Sequence, residues 1–76
     1  MKQLVQTMAR PLVDFPDEME VTERREGEIL VLTLTVHESD MGKVIGKQGG
    51  TANAMRSILQ AGASHQQERV RLDIIE

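Results

Sequence analysis

Leu4, Val5, Met8 and Leu12 recur at helical spacing with Ala9 beside them, while Gln3, Gln6, Thr7 and Arg10 fill the other side. The pattern predicts an amphipathic helix from about Lys2 to Val13. Pro11 has no N–H to give the Thr7 carbonyl, and its ring crowds that turn, so this helix is kinked or ends near Arg10. Asp14 to Asp17, with Pro16 inside, reads as a connector. Met19 and Val21 then alternate with Glu20 and Thr22, which predicts a short half-exposed strand over 19–24 and a turn over Arg25–Glu28. Ile29 to Val36 is the strongest strand pattern. Leu30, Leu32, Leu34 and Val36 share one face, and Ile29, Val31, Thr33 and Thr35 share a less apolar one. Ser39 and Asp40 are candidate N-caps for a short helix over Met41–Ile45. After Gly46-Lys47-Gln48-Gly49 a second helix starts at Gly50 or Thr51 and runs to about Ala63. Its buried stripe is Ala52, Met55, Ile58 and Leu59, with Gly62 one turn on. Ala63–Gln67 reads as a polar loop. Arg69–Ile75 is the last strand, with Val70, Leu72 and Ile74 on one face.

The predicted order is helix-strand-strand-helix-helix-strand. The first two strands can form a hairpin. The second and third are joined by a two-helix crossover, which makes them parallel neighbours and puts the helices on one side. The expected fold is α+β: a three-stranded mixed sheet with three helices on one face, in a single domain over residues 1–76.

Composition narrows the function classes. A chain of 76 residues without cysteine has no disulfide framework and no thiolate metal site. His37 and His65 stand 28 residues apart in predicted loops and do not have ligand spacing. No metal and no cofactor are expected. No apolar run approaches the roughly 18–20 residues of a membrane span, so a cytoplasmic protein is expected. The formal net charge of −3 and the single aromatic, Phe15, count against a basic, base-stacking nucleic-acid binder. The charge is uneven, however. Residues 1–40 carry nine acids and four bases, while 41–67 carry Lys43, Lys47 and Arg56 and no acid. The acid-free segment also holds Gly42, Gly46, Gly49 and Gly50, four of the six glycines.

A bare G-x-x-G arises by chance in short chains. Here it follows Val44-Ile45, holds Lys47-Gln48, and sits between two short amphipathic helices. A tight turn of this kind lets a phosphodiester strand approach the backbone. The following helix offers unpaired N–H groups and the positive end of its dipole, and Lys47 and Gln48 add a charge and an amide. That is a backbone clamp for a nucleic-acid strand. Catalysis finds little support. Only three residues separate Gly42 and Gly46 where a P-loop needs four, Gln48 follows Lys47, and Ser39, Ser57 and Ser64 lack a recognisable base. No enzyme is expected.

Val44-Ile45-Gly46-Lys47-Gln48-Gly49 resembles the signature of the KH domain, whose GXXG loop clamps about four nucleotides of a single strand. The element order is similar to the type II form. Chain length, Leu12-Val13-Asp14 at the end of the first helix, and the run Asp40–Gly49 resemble the small bacterial KH-domain RNA-binding proteins of the KhpA (YlqC-type) family. The resemblance implies a groove clamped by Gly46, Lys47, Gln48 and Gly49, floored by Val44 and Ile45. Lys43, Gly50 and Arg56 are further candidate contacts, and Arg24 and Arg25 a candidate rim in the first hairpin loop. Gly50 stands where such sequences often have a basic residue, which implies weaker binding.

The resemblance also implies single-stranded RNA as ligand and an RNA chaperone or post-transcriptional role linked to cell shape, elongation and division. The implied partners are a second copy of the chain and/or a KhpB/Jag-type KH protein. Blander readings stand beside these. Lys43 and Arg56 also suit solvated helix positions, and Arg24 and Arg25 suit an ordinary polar turn. The whole chain can be a protein-interaction module that keeps the KH fold with negligible RNA affinity.

Overall fold

The computed structural model describes all 76 residues. Helix α1 spans Lys2–Ala9 and buries Val5 and Ala9. Arg10–Leu12 continue it as a single 3-10 turn closed by Val13 N–H on the Arg10 carbonyl (3.5 Å). Pro11 sits in the first half of that turn, where no N–H is needed, so α1 ends beside Arg10 as the proline leads one to expect and the chain goes on as a tighter turn. A second 3-10 turn at Pro16–Glu18 leads into strand β1 (Glu20–Glu26).

β1 pairs antiparallel with β2 (Ile29–Thr35), and β2 pairs parallel with β3 (Arg69–Ile75), in the order β1-β2-β3. Between β2 and β3 lie α2 (Met41–Ile45), a 3-10 turn at Lys47–Gly49, and α3 (Gly50–His65). The expected α+β topology is the observed one. The core lies between sheet and helices. Val21, Leu32, Leu34, Val70 and Leu72 meet Val5 and Ala9 from α1, Val44 from α2, and Met55, Leu59 and Ala63 from α3.

Several details differ from the sequence reading. β1 runs to Glu26, so Arg24 and Arg25 are strand residues opposite Val31 and Leu30, and only Gly27-Glu28 make the turn. Val31, expected on the wetter face, is fully buried. It lies in register between Arg24 and Arg71, where long side chains with aliphatic stems flank it on both sides. Arg24 pairs with Glu26 along β1 and Arg71 with Asp73 along β3, and Arg71 also reaches Glu26 across the sheet. Helix α3 continues through His65. It stops without a glycine: Gln67 takes a left-handed conformation (φ 59°), and Glu68 N–H reaches back to the Ala63 carbonyl (2.7 Å). Ala63 is buried, while Ile58 points outward and is 49% exposed.

Asp40 precedes α2 but does not cap it. Its side chain is fully buried and faces the opposite way. Oδ1 accepts from the Asp14 N–H (3.1 Å) and Oδ2 from the Phe15 N–H (3.0 Å). The His37 ring supplies the local cap instead, with Nδ1 accepting from Ser39 N–H at 3.1 Å.

Candidate nucleic-acid interface

The glycine-rich turn is built by a sequence of special backbone conformations. α2 closes with Gly46 N–H donating to the Gly42 carbonyl (2.9 Å). Gly46 then takes φ 78°, ψ 173°, which redirects the chain away from the helix axis. Gln48 (φ 56°, ψ 29°) and Gly49 (φ 75°, ψ 12°) are both left-handed. A left-handed glutamine is held at a cost of about 1 kcal/mol, a level of strain that concentrates at ligand clamps. The turn is tied by Gly49 N–H on the Gly46 carbonyl at 3.2 Å and by Gly50 N–H on the Lys47 carbonyl. It leaves the Lys47 and Gln48 side chains exposed. α3 then begins at Gly50, and the N–H groups of its first turn lie beyond the reach of any intrahelical acceptor.

The three cations of the 41–67 segment turn out unequal. Lys43 is engaged: its ammonium pairs with the Asp14 carboxylate and lies 3.3 Å from Asp40 Oδ1. Its hydrogen bonds to the Asp14 and Asp40 carboxylates raise its pKa above the ordinary lysine value, so it is locked as a cation. Arg56 spans from α3 to the edge of β3. Its Nε and Nη2 donate to the Leu72 carbonyl at 3.2 and 3.1 Å. Lys47 takes part in no ion pair or side-chain hydrogen bond and is the one cation of the turn left for a ligand.

Val44 is fully buried under the turn, and Ile45 and Gly46 are half-buried. Val44 therefore belongs to the core, and Ile45 is the accessible apolar part of the floor. Gly50 is exposed and helical, with nothing within 4 Å of a Cβ built on it. The pair expected on the rim is neutralised. Arg24 binds Glu26, and Arg25, on the strand farthest from β3, binds Glu68. Exposed pairs of this kind add little stability, yet each occupies a cation that a phosphate would otherwise use.

Two elements escaped sequence reading. One is Gln60, whose Nε2 donates to the Val70 carbonyl at 2.9 Å one turn beyond Arg56. The other is Asp40, which anchors the Asp14–Phe15 connector directly before α2. No local pattern marks a side chain that bonds a strand 10 or 16 residues away.

Comparison with known proteins agrees with this geometry. Residues 2–74 match the family described as KhpA/KhpB, KH domain. The chain is 55% identical over 76 residues to an RNA-binding protein KhpA of Halalkalibacterium halodurans, covering all of both chains. It is 48% identical over 75 residues to that of Clostridium acetobutylicum, covering 99% of this chain and all of the relative. It is 40% identical over 76 residues to that of Listeria monocytogenes, again covering all of both. Fold, glycine turn and full-length similarity coincide, and the chain belongs to the KhpA/KhpB family of KH domains.

Proposed function

We propose that this chain binds single-stranded RNA by clamping its backbone at Gly46-Lys47-Gln48-Gly49, without chemistry and without a cofactor. The observation that carries the reading is the turn itself. Two consecutive left-handed residues present an unpaired Lys47 beside the positive end of the 16-residue α3. The relatives named RNA-binding protein KhpA support the ligand class.

Changing Lys47 and Gln48 together to Asp places two negative charges where phosphates approach. RNA affinity at low salt is expected to fall at least tenfold, roughly 1.4 kcal/mol, with an unchanged melting temperature. Fluorescence anisotropy on a labelled oligonucleotide measures it, and undiminished binding by the double variant overturns the clamp. Salt dependence gives an independent reading. With Lys47 and Arg56 as the cations of one groove, the slope of log affinity against log salt should stay near 1.4 in magnitude, at about 0.7 per contact.

A cytoplasmic RNA chaperone or post-transcriptional regulator acting in cell elongation and division is the biological role that the family resemblance supports. Pairing with a second copy or with a KhpB/Jag-type protein would join two short grooves and raise avidity. A specific surface favours self-association, and it also suits the alternative of an interaction module with little RNA affinity. Ala54, Ile58 and Ala61 are all exposed and fall at i, i+4 and i+7 on the side of α3 away from the core. Ile58→Asp should shift the mass measured by sedimentation equilibrium toward the 8.5 kDa of one chain while leaving the melting temperature intact. An unchanged mass excludes this surface. Self-association together with no RNA binding at low salt makes the interaction module the better reading.

A further inference from the structure

Helix α1 carries a polar surface that the clamp does not use. All nine acids among the first 40 residues lie after Val13, so α1 and its closing turn hold Lys2 and Arg10 and no carboxylate. Gln3, Gln6, Thr7 and Arg10, at i, i+3, i+4 and i+7, share the side of α1 away from Val5 and Ala9. Lys2 leads the same row one turn before Gln6. With the Pro11 ring, these four polar residues line an open cleft of about 500 Å³ that has no aliphatic or aromatic side chain in its wall. The cations here differ from most others in the chain. Arg24, Arg25, Lys43, Arg56 and Arg71 are each held by a carboxylate or a backbone carbonyl. Lys2 and Arg10 are exposed and have no such partner, a condition they share with Lys47 of the clamp and with Arg69.

The end of α1 is tied to the start of α2. Asp14, four residues past Arg10, gives its N–H to Asp40, and its carboxylate pairs with Lys43. α2 itself is five residues, about 7.5 Å, and is capped at Gly46 of the clamp. The longest dimension of the whole molecule is 34 Å, which roughly ten nucleotides span at about 3.4 Å each. We propose that the outer face of α1 is a second RNA contact, one that takes the phosphate and sugar groups of a strand continuing past the clamp, and this rests on the RNA-binding reading above. The lining decides between RNA and a protein partner. Protein interfaces are anchored by aromatic and aliphatic side chains at their centre, and this face has none. Guanidinium, ammonium, amide and hydroxyl groups are the ones that bond phosphate and sugar oxygens. A chain of net charge −3 then meets RNA through two acid-free segments, 1–13 and 41–67, with its acids set outside both.

The test uses labelled single-stranded RNA of mixed sequence in two lengths, about five nucleotides, which fill the clamp alone, and about fifteen, which reach α1 as well. Fluorescence anisotropy at low salt measures both. Lys2→Gln with Arg10→Gln removes the two cations at exposed positions with little change in helix propensity. It should weaken the long probe about fivefold and leave the short one within about twofold. In the unaltered chain the salt slope of the long probe should be near 2.8 in magnitude, at about 0.7 for each of Lys2, Arg10, Lys47 and Arg56, and near 1.4 in the variant. Arg69→Gln is the control for net charge, because Arg69 is exposed and unpaired but opens β3 instead of α1. It should leave both probes unchanged. A long-probe affinity and slope unmoved by the double change overturn the proposal. So does a comparable loss in the Arg69 variant, or a loss shared equally by the two probes. Lys47→Asp with Gln48→Asp should weaken both lengths, which keeps the two levels distinguishable. If only the α1 change has an effect, this surface stands and the clamp falls. If the unaltered chain binds neither probe, the RNA-binding reading falls and the α1 contact falls with it.

Discussion

Gly46→Ala is expected to leave the chain close to unfolded at 37 °C and unable to bind RNA. A Cβ at this position would lie 2.7 Å from the Thr51 nitrogen and 2.8 Å from the Thr51 Cβ, and would also meet the Thr51 hydroxyl oxygen. The nitrogen is backbone at the start of α3 and cannot rotate away. The φ of 78° adds strain that any L side chain must carry. Strain and overlap together amount to roughly 3 kcal/mol. A domain of this size has about 3–5 kcal/mol in total. Relief would require α2 and α3 to move apart, which destroys the turn whatever fraction stays folded.

Two other glycines give the scale. Gly49→Ala meets only the Asn53 side-chain nitrogen at 3.7 Å but keeps a left-handed φ of 75°, so it should lose about 1 kcal/mol. Gly50→Ala lies at φ −60°, ψ −44° with open space around it, and should gain roughly 0.5–1 kcal/mol from helix propensity. Thermal melting followed by far-UV circular dichroism checks the ranking. A Gly46→Ala chain that melts within two or so degrees of the parent would show that the close approach of Gly46 to Thr51 is not a constraint.

The contrast between these glycines explains what could be read from the chain alone. Periodicity marked β3 at its observed bounds and β2 to within a residue, because both strands present an unbroken apolar alternation to one core. The G-x-x-G turn was visible because only particular residues accept its backbone. Features set by distant contacts were not visible. Lys43 and Arg56 read as a matched pair of cations near the turn. One proved to be bound to Asp14, 29 residues away, and the other to the Leu72 carbonyl, 16 residues away. Val31 looked like a wet-face residue until the register placed an arginine stem on either side of it. Ile58 was placed in the core stripe because it stands three residues after Met55 and beside Leu59. The buried stripe is Ala52, Met55, Leu59 and Ala63, and at about 100° of turn per residue Ile58 lies roughly 100° from its centre and turns out. The stop itself carried no sequence signal, since a glutamine takes the left-handed position that glycine usually marks.

Asp40 supplies the second large effect, and its sign can be worked out. Burial pushes its pKa up. The two backbone N–H groups of Asp14 and Phe15 and the Lys43 ammonium pull it down by more, so the net shift is below the ordinary aspartate value. A carboxylate whose pKa is depressed on folding contributes stability that is fully present above its unfolded pKa, near 3.9, and is lost as pH falls through the folded value. Lys43 stays charged throughout that window, because its own pKa is raised. Asp40→Asn preserves the shape but points an amide donor at groups that are themselves donors. At neutral pH its melting temperature should fall by roughly 10 °C. Below about pH 4 the gap between parent and variant should narrow, as the parent carboxylate takes up a proton. Scanning calorimetry of both chains from pH 7 to pH 3 measures this. A gap constant across that range would mean that Asp40 acts by shape alone and not as a charged acceptor. RNA affinity should follow stability in the same variant. Asp40 ties the connector to the start of α2, and α2 is capped at Gly46, so a loosened anchor at one end of this short helix disturbs the clamp at the other without touching any residue in it.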